Sequence, residues 1–154
     1  MSFEIACSNV SETQKLAKKI AEIAKKGDAF LLFGTLGAGK SVFARAFVQS
    51  LTKAKEVPSP TFTLVQTYEA SEFEIYHFDL YRLKSAEEIW ELNMEEALYQ
   101  AVCLIEWPEK MGGYIPRDAF RISVLSTSGN ARIFKIETSS AEKQARLEQL
   151  FIQR

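Results

Sequence analysis

Five apolar residues, Ala29-Phe30-Leu31-Leu32-Phe33, run without interruption into Gly34-Thr35-Leu36-Gly37-Ala38-Gly39-Lys40-Ser41. No other stretch of the chain constrains its fold as strongly. A short apolar run bounded by turn residues predicts a strand buried on both faces. The glycines after it let backbone N–H groups curl around an anion with no Cβ in the way. Phe43, Ala46, Phe47 and Val48 then mark the apolar side of a helix from about Lys40 to Leu51. Strand, glycine turn and helix N-terminus together make a phosphate cradle, because the helix end adds its partial positive charge.

The loop matches the pattern Gly-x-x-x-x-Gly-Lys-Ser/Thr at every required position. Lys40 is expected to reach the β- and γ-phosphates of a nucleotide, and the Ser41 hydroxyl to ligate Mg2+. Such a loop needs an acid at the end of a nearby strand, to hold the metal directly or through water. Two places qualify. Ala101-Val-Cys-Leu-Ile105 is apolar throughout and ends in Glu106, and Ile75-Tyr-His-Phe78 runs into Asp79. Either acid taken alone reads equally as a strand-end carboxylate, Asp79 capping a turn or pairing with Arg82. Once the phosphate loop is granted, at least one must serve the metal. The single histidine, His77, reads as a hydrogen-bonded strand residue rather than a catalyst. Trp107 reads either as a core aromatic or as a residue lining the site.

The rest of the chain builds a support for this loop. A first helix, capped by Ser11 and ended by Gly27-Asp28, places Leu16, Ile20, Ile23 and Ala24 on one face. Two prolines keep Val57–Thr61 out of helix. Phe62–Tyr68 and Phe73–Leu80 read as a hairpin, Ser85–Leu92 and Glu95–Tyr99 as short helices, and Ala101–Ile105 as a buried strand. Phe120–Leu125 and Arg132–Thr138 read as paired strands, and Ser140–Ile152 as a closing helix. With 154 residues and no linker or repeat, the expectation is a single P-loop ATPase domain over 1–154. Its fold class is α/β, the P-loop NTPase fold, with a mixed central β-sheet flanked by helices.

Charge and cysteines narrow the setting. Nineteen basic and twenty acidic residues leave a net charge of −1, so nothing drives the whole chain toward DNA, RNA or an anionic membrane. Two cysteines, Cys7 and Cys103, make no disulfide scaffold. The first residues lack a signal peptide's basic and apolar regions, and no apolar run approaches the about 18 residues of a membrane span. A soluble, cytoplasmic protein with no membrane or DNA partner is expected.

Four blocks occur together in order: Gly34–Ser41, Ser59-Pro-Thr-Phe-Thr-Leu-Val65, Tyr76-His-Phe-Asp-Leu-Tyr-Arg-Leu83 and Leu104-Ile-Glu-Trp-Pro108. In this the chain closely resembles the bacterial TsaE (YjeE) family, small P-loop ATPases of tRNA threonylcarbamoyladenosine biosynthesis. The resemblance spans roughly Ser11 to Arg132. It implies that ATP and Mg2+ bind at Gly37, Ala38, Gly39, Lys40, Ser41 and Val42, with Glu106 on the metal alongside Ser41. It implies Asp79 acting near the γ-phosphate with Lys40, Thr61 on a switch-like loop facing the nucleotide, and Thr13 and Arg132 as further nucleotide contacts. It implies TsaB and TsaD proteins as partners, with tRNA met indirectly through their complex. The chain departs from the family pattern at Thr35, where aspartate is usual, and at Ser41 and Val42, where two threonines are usual. Ser41 keeps a hydroxyl, and Val42 keeps its backbone N–H. A small-molecule kinase, or a nucleotide-gated interaction module with negligible turnover, are the alternatives. Against the kinase, the chain has no stretch resembling the arginine-bearing lid that such enzymes usually close over the transferred phosphoryl group.

Overall fold

The apolar run does form a strand, β2 (Ala29–Phe33), and four of its five residues are buried. Six more strands join it: β1 (Phe3–Cys7), β3 (Val65–Glu69), β4 (Glu74–Asp79), β5 (Val102–Glu106), β6 (Phe120–Ser126) and β7 (Arg132–Glu137). They form one sheet in the order β1-β7-β6-β2-β5-β4-β3. The structure, a computed structural model, describes residues 2–152. β2 pairs in parallel with β5 on one side and β6 on the other, and β5 pairs in parallel with β4. The outer pairs β3–β4, β6–β7 and β7–β1 are antiparallel. The mixed α/β architecture expected from the order of elements is therefore the one found.

The parallel centre explains the composition of β2 and β5. A strand buried on both faces needs apolar side chains at every position. Phe30, Leu32, Val102 and Leu104 pack on one side under α1 (Val10–Ala21) and α2 (Lys40–Leu51), and α4 (Ala141–Phe151) adds Leu147 there. Leu31, Cys103 and Ile105 pack on the other side against α3 (Met94–Gln100) and the 3-10 segments Ala86–Leu92 and Pro108–Tyr114. Phe30 stacks on Phe120 at 4.7 Å and meets Phe47 edge-on at 5.0 Å, which fixes α2 over the strand carrying the loop. Both cysteines are free and buried, and burial pushes the Cys103 thiol up to about 12, so it is a packing residue.

Five details differ from the sequence reading. α1 ends at Ala21, with Glu22 as its C-cap, rather than at Gly27-Asp28, so Ile23 and Ala24 lie beyond the helix. The N-cap of α1 is Asn9, whose side chain accepts from Glu12 N at 2.9 Å, with Ser11 inside the helix. β1 was not expected. It alternates half-buried and exposed residues at the sheet's edge, a pattern too short to stand out. β3 begins at Val65 rather than Phe62, because Leu64 takes φ 70° and turns the chain before the strand starts. The 3-10 segment Pro108–Tyr114 was also not expected, since a proline and two glycines carry weak helix signals.

One buried ion pair ties the end of the chain to the start of β2. Arg146 on α4 donates to Asp28 from Nη1 at 2.8 Å and from Nη2 at 2.9 Å, and to the Ile23 carbonyl at 2.6 Å. Both side chains are almost wholly buried. Removing one partner strands the other's charge, which costs far more than a surface pair. Arg146→Ala is expected to lower unfolding free energy by about 3 kcal/mol. Adding Asp28→Ala should recover part of that loss. Urea denaturation of both variants checks this, and a loss below about 1 kcal/mol contradicts it.

Candidate functional site

The loop Gly34–Gly39 leaves the C-terminal end of β2 and enters α2. Gly39 is the N-cap residue with φ 105°, and a Cβ there would stand 3.1 Å from Arg132 Nε. Glycine alone suits both the left-handed backbone and that close approach. α2 starts with no side-chain cap and no acidic residue in its first turn, whereas Asn9 and Ser140 cap α1 and α4. The first N–H groups of any helix lack intrahelical acceptors. At α2 they face a cavity of about 270 Å³ lined by Gly37, Ala38, Gly39, Lys40, Ser41 and Val42. Uncapped donors at the positive end of a helix form an anion site.

Sheet register supplies the opposite wall. Asp79 and Glu106 are the last residues of adjacent parallel strands and are paired in register. Residues two apart on a strand share a face. Glu106 therefore projects on the Leu104 side, toward α2, and Asp79 on the Ile75 and His77 side of β4. Both carboxylates are buried and line the cavity. This is the carboxyl end of the parallel strands, where open α/β sheets place their ligands.

Each polar group here has a traceable partner. Asp79 Oδ1 accepts from the Tyr81 backbone N–H at 3.0 Å, so the turn-capping alternative holds for that oxygen. Its Oδ2 accepts from Thr61 Oγ1 at 3.1 Å, and Ser59 Oγ bonds Thr61 Oγ1 at 2.7 Å. The proline-bounded loop is thus fastened to a strand-end carboxylate. Arg82 does not pair with Asp79; its guanidinium lies 4.4 Å from the ring centre of Phe62. Glu106 Oε2 is 2.7 Å from His77 Nε2, in keeping with a hydrogen-bonded strand histidine.

Lys40 is held in readiness. Its Nζ donates to the Gly34 carbonyl at 2.8 Å and sits 3.6 Å over the Trp107 ring. Burial lowers its pKa from the ordinary lysine value, and the nearby charges of Glu106, Glu109 and Asp79 pull it partly back up. Trp107 lines the cavity and adopts φ 59°, ψ 49°, a left-handed conformation unfavourable to a bulky residue. Its ring packs 4.9 Å from Tyr81, which holds the strained residue in place.

Two residues sit differently from what the family resemblance suggests. Arg132 lines the cavity, but its guanidinium is turned onto the loop's own carbonyls. Nε donates to Ala38, Nη2 to Gly37 at 3.3 Å, and Nη1 to Gly129 and Ala131 at 2.8 Å each. It braces the cradle. Thr13 is buried in α1 beside Cys7 and is not among the cavity's lining residues. Leu36, 67% exposed at the cavity's edge, was not singled out because it fills an unconstrained position of the motif.

The donor set is oxygen-rich and sparse in protein ligands. Among the described residues no group of three or more histidine, cysteine or acidic side chains is close enough to cage a metal. Two carboxylates and the Ser41 hydroxyl suit a hard cation that keeps waters and phosphate oxygens in its shell, which describes Mg2+ better than zinc or calcium.

Comparison with known proteins places the chain in a family. The family described as "Threonylcarbamoyl adenosine biosynthesis protein TsaE" matches residues 7–134. The tRNA threonylcarbamoyladenosine biosynthesis protein TsaE of Rickettsia felis is 44% identical over 136 residues, covering 88% of this chain and 80% of that protein. The protein of the same name from Bacillus subtilis is 35% identical over 125 residues, covering 80% of this chain and 78% of the other. The crystal structure of Bacillus subtilis YdiB superposes with a TM-score of 0.79 at 27% identity, over 97% of this chain and 94% of that one. A buried strand feeding an uncapped helix, faced by two strand-end carboxylates, thus sits in a chain that belongs to the TsaE family of tRNA threonylcarbamoyladenosine biosynthesis.

Proposed function

We propose that this chain is a Mg2+-dependent ATPase that sustains turnover of a TsaB–TsaD complex as it modifies adenosine 37 of tRNA. The whole of 1–154 serves as one ATPase domain. One observation carries the reading: the uncapped start of α2 and the buried Lys40 face Asp79 and Glu106 across a single cavity. N–H groups of Gly37–Val42 would receive the phosphates, and Lys40 would leave the Gly34 carbonyl to neutralise the β- and γ-phosphates. Ser41 and Glu106 would hold Mg2+, which supplies charge neutralisation at the β–γ bridge when bound. Asp79, held by Thr61 and the Tyr81 N–H, would orient the attacking water. Water oxygen bonds to the γ-phosphorus as the β–γ bridging bond breaks, leaving ADP and phosphate, and the water's proton passes to solvent or phosphate.

The arginines favour a reaction completed by partners over a self-sufficient kinase. Arg45 reaches the Val57 carbonyl, Arg82 lies on Phe62, Arg121 lies 4.7 Å from the Phe33 ring, and Arg146 is spent on Asp28. Arg132 is spent on the loop. None of these five is poised over the cavity as a lid. The Ser59–Thr61 segment, held by two hydroxyl contacts and by the Leu64 N–H on the Pro60 carbonyl, is the part a docked partner would reorder.

Lys40→Ala is expected to abolish nucleotide binding by calorimetry while leaving the circular dichroism spectrum unchanged. Wild-type affinity in this variant overturns the assignment. The lysine's lowered pKa also has a sign. The folded state holds the Lys40 proton less tightly than the unfolded chain, so its charge disfavours folding at neutral pH. That cost is relieved as pH rises through the folded pKa toward the ordinary lysine value. Lys40→Met should therefore gain stability relative to wild type at pH 7, and the gap should narrow by pH 10.

Glu106→Gln keeps shape and removes charge, so turnover should fall further than nucleotide affinity does. Unchanged Mg2+ dependence and rate would leave Glu106 a structural residue. Single-turnover hydrolysis should be slow for the isolated chain and rise on adding TsaB–TsaD, by up to about 10³–10⁵ where an arginine is supplied in trans. Fast hydrolysis alone, unaffected by partners, favours the kinase. Nucleotide binding with no hydrolysis in either state favours the interaction module.

A further inference from the structure

We propose that His77 is the positioning residue of Glu106, its Nε2–H fixing one carboxylate oxygen so that the other faces the metal. The inference rests on the proposed function for the metal, and on strand geometry for the contact. His77 pairs in register with Leu104 on β5, so Glu106 lies two residues further along the neighbouring strand. Period-two alternation puts both side chains on the α2 side of the sheet. The gap between them is closed by a 2.7 Å hydrogen bond, with side chains 2% and 3% exposed.

The arrangement fixes the direction of the bond. A carboxylate oxygen only accepts, so Nε2 carries the hydrogen. His77 Nδ1 is buried and has no hydrogen-bond partner. It is satisfied at least cost as a bare ring nitrogen, because a buried N–H without an acceptor is penalised. Glu106 Oε2 is occupied by this bond, and among the described residues no hydrogen bond reaches Oε1. Glu106 lines the cavity and His77 does not. A buried polar pair is a weak device for stability alone, since well-packed apolar residues serve as well or better. Its place here is that of the outer-sphere partner that orients a metal-binding side chain.

Calorimetric titration of ADP at stepped Mg2+ concentrations tests this on the full chain. His77→Leu should weaken the Mg2+ dependence by about 10-fold while ADP affinity in EDTA is unchanged. His77→Gln, whose amide N–H can stand where Nε2–H stands, should restore most of it. The double variant His77→Leu/Glu106→Gln should be no weaker than Glu106→Gln, because His77 acts only through that carboxylate.

The metal-free protein gives an independent readout. With one histidine in the chain, its ring-nitrogen NMR signals need no assignment. They should show hydrogen on Nε2 and a bare Nδ1, and should shift in Glu106→Gln. Unchanged Mg2+ dependence in a folded His77→Leu, additive losses in the double variant, or hydrogen on Nδ1 each overturn the proposal. Should His77→Leu not fold, His77→Gln and the NMR signals still decide. Loss of Mg2+ dependence in wild type itself would instead bring down the proposed function, and the inference with it.

Discussion

A loop that turns its N–H groups inward to meet an anion turns carbonyls outward, and here those carbonyls are met by donors from the fold. That constraint shapes the site. The Gly34 carbonyl is met by Lys40, the Thr35 carbonyl by Ala38 N, and the Gly39 carbonyl by Phe43 N. The Gly37 and Ala38 carbonyls are met by Arg132, which arrives from the far side of the sheet's central strand on β7. The cradle is thereby formed before any ligand arrives, and little ordering entropy remains to oppose binding. Lys40 is the exception, since its carbonyl contact must be surrendered. Trp107 supplies a second, non-hydrogen-bonding hold on the ammonium, strongest where water is excluded.

The brace has structural consequences. Arg132 lies close over Gly39, where a Cβ would crowd its Nε at 3.1 Å, and the antiparallel pairing of β6 and β7 beside β2 brings it to the loop. The second glycine of the motif therefore answers two demands, backbone conformation and the guanidinium's approach. The sheet's antiparallel flank thereby brings one side chain to the central loop. On the opposite flank the β3–β4 hairpin delivers Asp79 and, through Thr61, holds the proline-bounded loop near the cavity.

What was legible in the sequence follows from the range of the forces involved. β2, α2 and β5 were readable because full burial demands apolar residues at every strand position and a 3.6-residue stripe on the helix. The loop was readable because its chemistry fixes residue types at fixed spacing. β1 was not, since its alternating half-buried residues acquire their role only by pairing with β7, far away in the chain. Phe62 looked like the start of a strand. The left-handed turn at Leu64 leaves it 79% exposed instead, with the Arg82 guanidinium against its ring. The role of Arg132 depends on a contact across 94 residues, which no local pattern encodes. Thr13 illustrates the reverse: a family position that in this fold is packed against Cys7.

The two acids illustrate how register converts separate strand ends into one site. Each looked alike in the sequence, a carboxylate closing an apolar strand. Pairing Asp79 with Glu106 places them side by side, yet their partners differ in kind. Asp79 is tied to the turn that follows it and to a hydroxyl of the proline-bounded loop, and the second of these moves if that loop moves. Glu106 is tied to a buried ring on a neighbouring strand of the core. A carboxylate anchored to the sheet suits a role that must stay fixed, and one anchored to a loop suits a role that responds to docking. This difference supports the roles proposed above, metal holding for Glu106 and water orientation for Asp79. A shift of one residue in the pairing of β4 with β5 would undo it, because it would turn His77 away from Glu106 and into the opposite layer.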